Sequence, residues 1–294
     1  MESLATITGK VQRKLLQLAF GEQWVIGATP RTNAHRDGGI TTCRLLEPPA
    51  GMNYADPFVI TFQGKVFVLF EAWGDQGRKG VIQFATLDSS GCWSQPEIAL
   101  QRPYHLSYPF VFSWHGDFYM LPETRHNHTI ELYRAREFPQ DWELAAVLMD
   151  HVDVVDTTLL EYEGRWWMFT AGWGKWTARF RQLSIFHSCS PFGPWLPHAR
   201  NPVVDDLGTA RPAGRLFLDN GQLIRPGQDC RFGYGCAIAW NRVNRLNERE
   251  YDETCLARLT PKLTSGWVAT HTFNQDGEWQ VFDGKRVRLR LART

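Results

Sequence analysis

Ala55-Asp-Pro-Phe-Val-Ile-Thr-Phe-Gln-Gly64 is the stretch that decides the fold, because it recurs. Ser107-Tyr-Pro-Phe-Val-Phe-Ser-Trp-His-Gly116 and Val155-Asp-Thr-Thr-Leu-Leu-Glu-Tyr-Glu-Gly164 align with it without gaps. An apolar run follows each copy, at 65–70, 117–121 and 165–170. The turn glycines Gly64, Gly116 and Gly164 are 52 and 48 residues apart. A fourth copy is Arg211-Pro-Ala-Gly-Arg-Leu-Phe-Leu-Asp-Asn-Gly221, and a weaker fifth is Thr270-His-Thr-Phe-Asn-Gln-Asp-Gly277. Each copy reads as strand, tight glycine turn, strand, since a hairpin turn needs a positive φ that a Cβ resists.

Further strands are expected at 81–87, 130–135 and 183–188, followed by the tryptophan segments Cys92-Trp-Ser, Asp141-Trp-Glu and Gly193-Pro-Trp. Five units of about 50 residues, each of four short strands, predict an all-β five-bladed β-propeller. Residues 24–27 and 286–291 alternate so that the N- and C-terminal strands share a blade and close the ring. No linker interrupts the pattern, so 1–294 reads as one domain, with 1–21 an N-terminal extension. Helix is expected only at 8–20 and, as an exposed charged insertion, at 241–253.

Composition narrows the function classes. The chain is 43% apolar and 21% charged, which permits a large core and excludes a disordered chain. Lys+Arg is 32 against 31 for Asp+Glu, a balance that supplies no field for nucleic acid. The 13 Trp and 18 Phe serve first as packing between sheets, and aromatic rings also stack on sugars. The six cysteines form no C-x-x-C pair. With no signal-peptide pattern in the first 21 residues, free thiols and a cytoplasmic location are expected.

In a propeller the first strand of each blade lines the axis, so equivalent repeat positions face one another across it. Eight residues before the turn glycine stand Asp56, Tyr108 and Asp156, and the shifted fourth and fifth copies offer Arg211 and His271. Seven residues after it stand Glu71, Glu123, Ala171, Gln228 and Gly284. Carboxylates in such burial-prone strands are costly unless paired or used. Asp56 alone reads equally well as a cap before Pro57, but matched carboxylates in different blades favour a site. Asp56, Glu123 and Asp156 are therefore the candidate catalytic residues, one acting as acid or base and another as nucleophile or charge stabiliser in glycosyl chemistry.

A cationic cluster accompanies them. Arg211, Arg215, Arg225 and Arg231 lie within 21 residues around Asp229, and Arg125, His126 and His128 follow Glu123. Arginine presents a fork suited to phosphate. The alternative is that these arginines pair with Asp205, Asp206, Asp219 and Asp229. The candidate substrate-binding set is Glu71, His105, Tyr108, Arg125, Arg211, Arg215, Arg225, Gln228, Asp229 and His271. The histidines lack ligand spacing and come from different blades, so no metal and no cofactor is expected.

Several long motifs carry a family resemblance. They include Ala55-Asp-Pro-Phe, Phe70-Glu-Ala, His105-Leu-Ser-Tyr-Pro-Phe-Val-Phe and Tyr119-Met-Leu-Pro-Glu-Thr. Others are Gly164-Arg-Trp-Trp-Met-Phe, Ser190-Pro-Phe-Gly-Pro-Trp, Arg211-Pro-Ala-Gly-Arg and Arg225-Pro-Gly-Gln-Asp-Cys-x-x-x-Tyr-Gly235. From about residue 24 to 235 the chain resembles the N-terminal domain of plant glucosamine inositolphosphorylceramide transferases. That domain is similar to the five-bladed propellers of glycoside hydrolase family 43. The resemblance implies a base at Asp56, a supporting aspartate at Asp156 and an acidic glutamate from blade four. Blade four offers Arg211-Pro-Ala-Gly-Arg instead, which leaves Glu123 of blade two as the acid to consider.

Three functions follow as expectations. The first is glycosyl transfer with a phosphate-bearing donor or acceptor, in polysaccharide or glycolipid synthesis. The second is hydrolysis of a furanoside or acidic glycan. The third is non-catalytic sugar binding. The expected partner is a carbohydrate with a phosphate or other anionic group, without nucleic acid. Association with a glycosyltransferase or a membrane surface is compatible with the first.

Overall fold

The computed structural model describes residues 20–31, 43–77, 79–173, 176–261 and 266–289. They form a five-bladed β-propeller. Blade one runs from the axis outward as Met52–Phe62, Lys65–Gly74, Val81–Leu87 and Glu97–Leu100. Blade two is Ser107–Trp114, Asp117–Thr124, Thr129–Glu137 and Gln140–Asp150. Blade three is Val155–Tyr162, Arg165–Ala171, Gln182–Ser188 and Leu196–Pro197, with Val204–Asp205 also paired to its third strand. Blade four is Phe217–Asp219, Gln222–Asp229, Ala237–Leu246 and Tyr251–Leu259. The closing blade joins both ends of the chain, as Phe273–Asp276, Trp279–Leu289, Phe20–Pro30 and Arg44–Leu46, with Trp267–Ala269 also on Trp279–Leu289. The register pairs Trp24 with Lys285 and Gln23 with Arg286, the ring closure expected from the alternating ends.

The repeated hairpins turn as the glycines require. Gln63 and Gly64 have φ of 48° and 74°, and Glu163 and Gly164 have 53° and 73°. Two successive left-handed residues match the twist of the flanking strands, and the second is glycine because the conformation costs it nothing.

A second shared irregularity matters more for function. The first two strands of blades one, two and three slip register between Ala55 and Phe58, between Ser107 and Phe110, and between Val155 and Thr158. Within each bulge one residue is left-handed: Asp56 at φ 52°, Tyr108 at 44° and Asp156 at 54°. A non-glycine residue in this region costs on the order of 1–3 kcal/mol and persists only where surrounding structure enforces it. A bulge re-aims a side chain out of the regular alternation. Here it does so at one depth in three consecutive blades.

Between blades the core is largely aromatic. Phe62 meets Phe118 edge-on at 4.8 Å, Phe67 meets Phe138 edge-on at 5.0 Å, and Phe112 contacts Trp166 at 5.6 Å. Each such pair contributes about 0.5–1.5 kcal/mol beyond its buried area.

The helix expected at 241–253 is not formed. The segment is the hairpin between Ala237–Leu246 and Tyr251–Leu259. Its turn is held by Asn247 Oδ1, which accepts the N–H groups of Arg249 at 3.0 Å and Glu250 at 2.9 Å. Charged residues on the exposed outer strand concealed a period of two. Of the helix expected at 8–20 only Phe20 is described, and it begins a strand; the rest lies outside the described residues.

Candidate active site

The site lies at the axis, on the face where the first strand of each blade begins and the second ends. Its first corner is Asp56. The Thr272 hydroxyl donates to Asp56 Oδ1 at 2.6 Å, and His271 Nε2 stands 3.7 Å from the same oxygen. Asp283 fixes both neighbours. Its Oδ1 accepts the N–H groups of His271 at 2.8 Å and Thr272 at 3.0 Å, and its Oδ2 accepts that of Asp56 at 3.1 Å. Asp283 Oδ2 also lies 2.5 Å from His271 Nδ1. The donor atoms of Asp56, His271 and Asp283 fall within 4.8 Å of one another, a grouping with the chemistry to hold a cation. In this structure the group is a hydrogen-bonded frame, with three backbone N–H groups on Asp283.

Burial sets the charges of this corner. It pushes Asp56 up to about 6, with His271 pulling down and the Asp156 and Asp283 carboxylates pushing up. Burial opposes the charge on His271, but Asp283 and then Asp56 lift it to about 9. His271 is therefore an imidazolium at neutral pH. It stacks on Trp24 at 4.3 Å and meets Tyr234 edge-on at 5.2 Å. A raised folded-state value stabilises fully below the unfolded value near 6.5 and is lost as pH rises through about 9. Unfolding free energy is expected to fall by ~3 kcal/mol across that window, at 1.36 kcal/mol per pH unit. His271→Gln should flatten the slope, measured as urea midpoints at pH 6, 7.5 and 9.

Glu71 and His105 form the second corner, with His105 Nε2 3.1 Å from Glu71 Oε1. The Gly80 N–H donates to His105 Nδ1 at 2.9 Å, which places the ring proton on Nε2, facing Glu71. Gly80 must lack a Cβ, which would lie 2.7 Å from Glu71 Oε1 and 2.5 Å from the Leu106 carbonyl oxygen. Burial and the Asp56 charge hold Glu71 well above the usual carboxylate range, and burial lowers His105. Both shifts favour the neutral forms.

The third corner joins Glu123, Asp156, Arg211 and Gln228. Arg211 Nε and Gln228 Nε2 donate to Asp156 Oδ2 at 2.5 and 2.8 Å. Burial works against the Arg211 charge, and Asp156 with its neighbours more than restores it. Glu123 shares a hydrogen bond with Asp156. Burial first and the Asp156 charge second raise it well above the carboxylate range, against the pull of Arg211. Both carboxyl groups are raised, in different surroundings: Asp56 is ionised above about pH 6, and Glu123 is held toward its protonated form. Two carboxyl groups in such surroundings have the chemistry for proton transfer. Asp156 positions Arg211, and its charge favours the protonated form of Glu123.

Four residues of the expected binding set are placed elsewhere. Tyr108 is fully buried, sharing a hydrogen bond with Thr158 Oγ1 at 2.9 Å and accepting the Gly214 N–H at 2.6 Å, so it ties blades two, three and four together. Arg225 is buried within blade four, on Glu253 at 2.6 Å and the Thr209 carbonyl at 2.7 Å. Asp229 holds Arg231 at 2.6 Å and Arg258 at 3.0 Å. Both lie an odd number of residues from Gln228 in the strand Gln222–Asp229, so alternation turns them to the other face. Arg215 donates to the Val111 carbonyl at 2.5 Å and stands over the Phe110 ring, linking blade four to blade two.

The expected residues Glu71, His105, Glu123, Arg125, Arg211, Gln228 and His271 gather around Asp56 and Asp156. Asp283, Thr272, Tyr234 and Arg179 join them without having been anticipated. Asp283 sits one residue before Gly284, the position given by the repeat count, because the weak fifth copy is offset. Tyr234 belongs to the motif beginning at Arg225, and its hydroxyl lies 3.4 Å from Arg211 Nη2.

Residues 38–272 match the sequence family described as glucosamine inositolphosphorylceramide transferase 1, N-terminal. The chain belongs to this family. It is 38% identical over 247 residues to glucosamine inositolphosphorylceramide transferase 1 of Oryza sativa subsp. japonica. That alignment covers 79% of this chain and 33% of the rice protein. The Arabidopsis thaliana protein of the same name is 36% identical over 276 residues, covering 89% of this chain and 35% of its own. The chain thus spans about a third of the length of these curated relatives. Among solved structures, a family 117 glycoside hydrolase from Zobellia galactanivorans superposes with a TM-score of 0.55 at 12% identity, covering 80% of this chain and 75% of its own. The family 43 protein BlXynB of Bacillus licheniformis gives 0.53 at 17%, covering 71% and 44%. At these identities the likeness shows the five-bladed fold alone.

Proposed function

We propose that this propeller binds a sugar substrate carrying a phosphate or comparable anionic group and acts on it in glycosyl transfer. Asp56 serves as the base for the incoming hydroxyl, and Glu123 as the acid for the departing oxygen. The observation that carries this reading is a pair of buried carboxyl groups, both raised but set by different neighbours, at a mouth also lined by arginine. A hydrolase of neutral glycans needs the carboxyl groups and gains nothing from the cations. The family supports the same direction, since the rice and Arabidopsis relatives are named for transfer of glucosamine involving inositolphosphorylceramide, a phosphate-bearing glycolipid.

The test is incubation with sugar nucleotides plus an inositol-phosphate acceptor and, separately, with aryl glycosides. Transfer from the activated donor is the expected result. Hydrolysis of aryl furanosides with no use of activated donors would overturn the transferase reading. A second reading, a sugar-binding propeller that serves a partner transferase, is favoured by the commitment of Asp156 to Arg211 and Gln228. Saturable sugar binding with no turnover in either assay would select it.

A further inference from the structure

The cations at the mouth are unevenly distributed. Arg125 follows Glu123 by two residues and pairs with Asp153 at 2.5 Å. Arg179 reaches in from the 3-10 turn Trp176–Phe180 of blade three. A Cβ on Gly172 would lie 3.0 Å from Arg179 Cβ and 3.1 Å from the Asp153 carbonyl oxygen, so Arg179 stands beside the segment that holds Arg125. From blade four, Arg211 shares the Phe180 ring with Arg179, their guanidinium carbons 5.6 and 4.6 Å from its centroid. Three blades thus bring three arginines to one arc. They repel: burial and then the charges of Arg125 and Arg211 lower Arg179. Glu123 feels Arg211, and Arg179 feels Glu123. On the Asp56 side the cation is His271, already shared between Asp56 and Asp283.

We propose that Arg125, Arg179 and Arg211 form a subsite for the phosphate of the leaving group, so that the anionic partner is the activated donor. The inference rests on the glycosyl-transfer reading and deepens it. Guanidinium forks match phosphate oxygens and relieve their own repulsion by binding an anion. The site sits on the acid's side, where negative charge develops as the bond breaks. In the reaction the bond between the anomeric carbon and the phosphate oxygen breaks, and its electron pair goes to the phosphate, which takes the Glu123 proton. The acceptor hydroxyl oxygen bonds to the anomeric carbon and gives its proton to Asp56. Only bonds and protons are exchanged, without oxidant or reductant.

The test compares wild type with Arg179→Gln and Arg125→Gln in the full chain. One readout needs no turnover: binding of inorganic pyrophosphate by calorimetry, expected to weaken at least tenfold in each variant. The other is steady-state kinetics with a sugar-phosphate donor, where KM for donor should rise and KM for acceptor should stay within twofold. Unchanged pyrophosphate binding in both variants would overturn the subsite. A rise in acceptor KM alone would overturn its assignment to the donor. Absence of turnover in wild type would count against the glycosyl-transfer reading, while the pyrophosphate titration would still decide the subsite. A thermal midpoint within a few degrees of wild type separates these outcomes from misfolding.

Discussion

Asp56→Asn should lower kcat by ~10²-fold or more while leaving substrate affinity within a few-fold. The substitution keeps the shape of the corner. The Thr272 hydroxyl, which donates to Asp56 Oδ1 at 2.6 Å, finds the amide oxygen in its place. The backbone N–H of residue 56 still bonds Asp283 Oδ2. What disappears is the basic oxygen. The wild-type rate should therefore fall as pH drops through about 6, where Asp56 takes a proton, and the variant should lack that limb. Glu123→Gln should instead remove the alkaline limb, and its defect should shrink with donors whose leaving groups need no proton. A wild-type rate in Asp56→Asn, with its acid limb intact, would remove the base assignment.

Arg211→Ala should produce the largest loss of stability, about 3–5 kcal/mol, the usual cost of stranding one member of a buried ion pair. Asp156 is 2% exposed and Arg211 6%, so water does not replace the missing guanidinium. Gln228 alone remains on Asp156 Oδ2, at 2.8 Å. Asp156→Asn strands the arginine in turn. The double variant Asp156→Asn/Arg211→Ala should recover much of either loss, because no uncompensated charge remains. Urea denaturation of the four proteins measures the coupling. A loss below 1 kcal/mol in Arg211→Ala, or simple additivity in the double variant, would show that the pair does not hold the site together.

The parts of the site that repeat were legible in the sequence. Counting from Gly64, Gly116, Gly164 and Gly221 places Asp56, Asp156, Glu71, Glu123 and Gln228 at common depths, since a strand advances by a fixed rise per residue. The bulges at Asp56, Tyr108 and Asp156 were not legible, because any residue type is compatible with either side-chain direction until φ is known. Tyr108 illustrates the result: it shares the bulge with the two aspartates, but its ring packs edge-on against Phe58 at 4.8 Å in the core. Arg215, Arg225 and Asp229 formed a charge cluster in sequence that alternation and blade junctions disperse in space. Arg179 has no equivalent in the other blades, so no repeat count could reach it. Asp283 was hidden by the short inner strand Phe273–Asp276 of the closing blade, which breaks the count by one.

The proposal under test is that an anionic sugar binds at the axial mouth. Its most direct measurement is calorimetric titration of the wild-type chain with a matched pair, a hexose 1-phosphate and the same free hexose, at two salt concentrations. The phosphorylated sugar should bind at least tenfold more tightly, with the advantage shrinking at high salt as screening weakens the arginines. Equal affinity for the two sugars, or tighter binding of the neutral one, would contradict it.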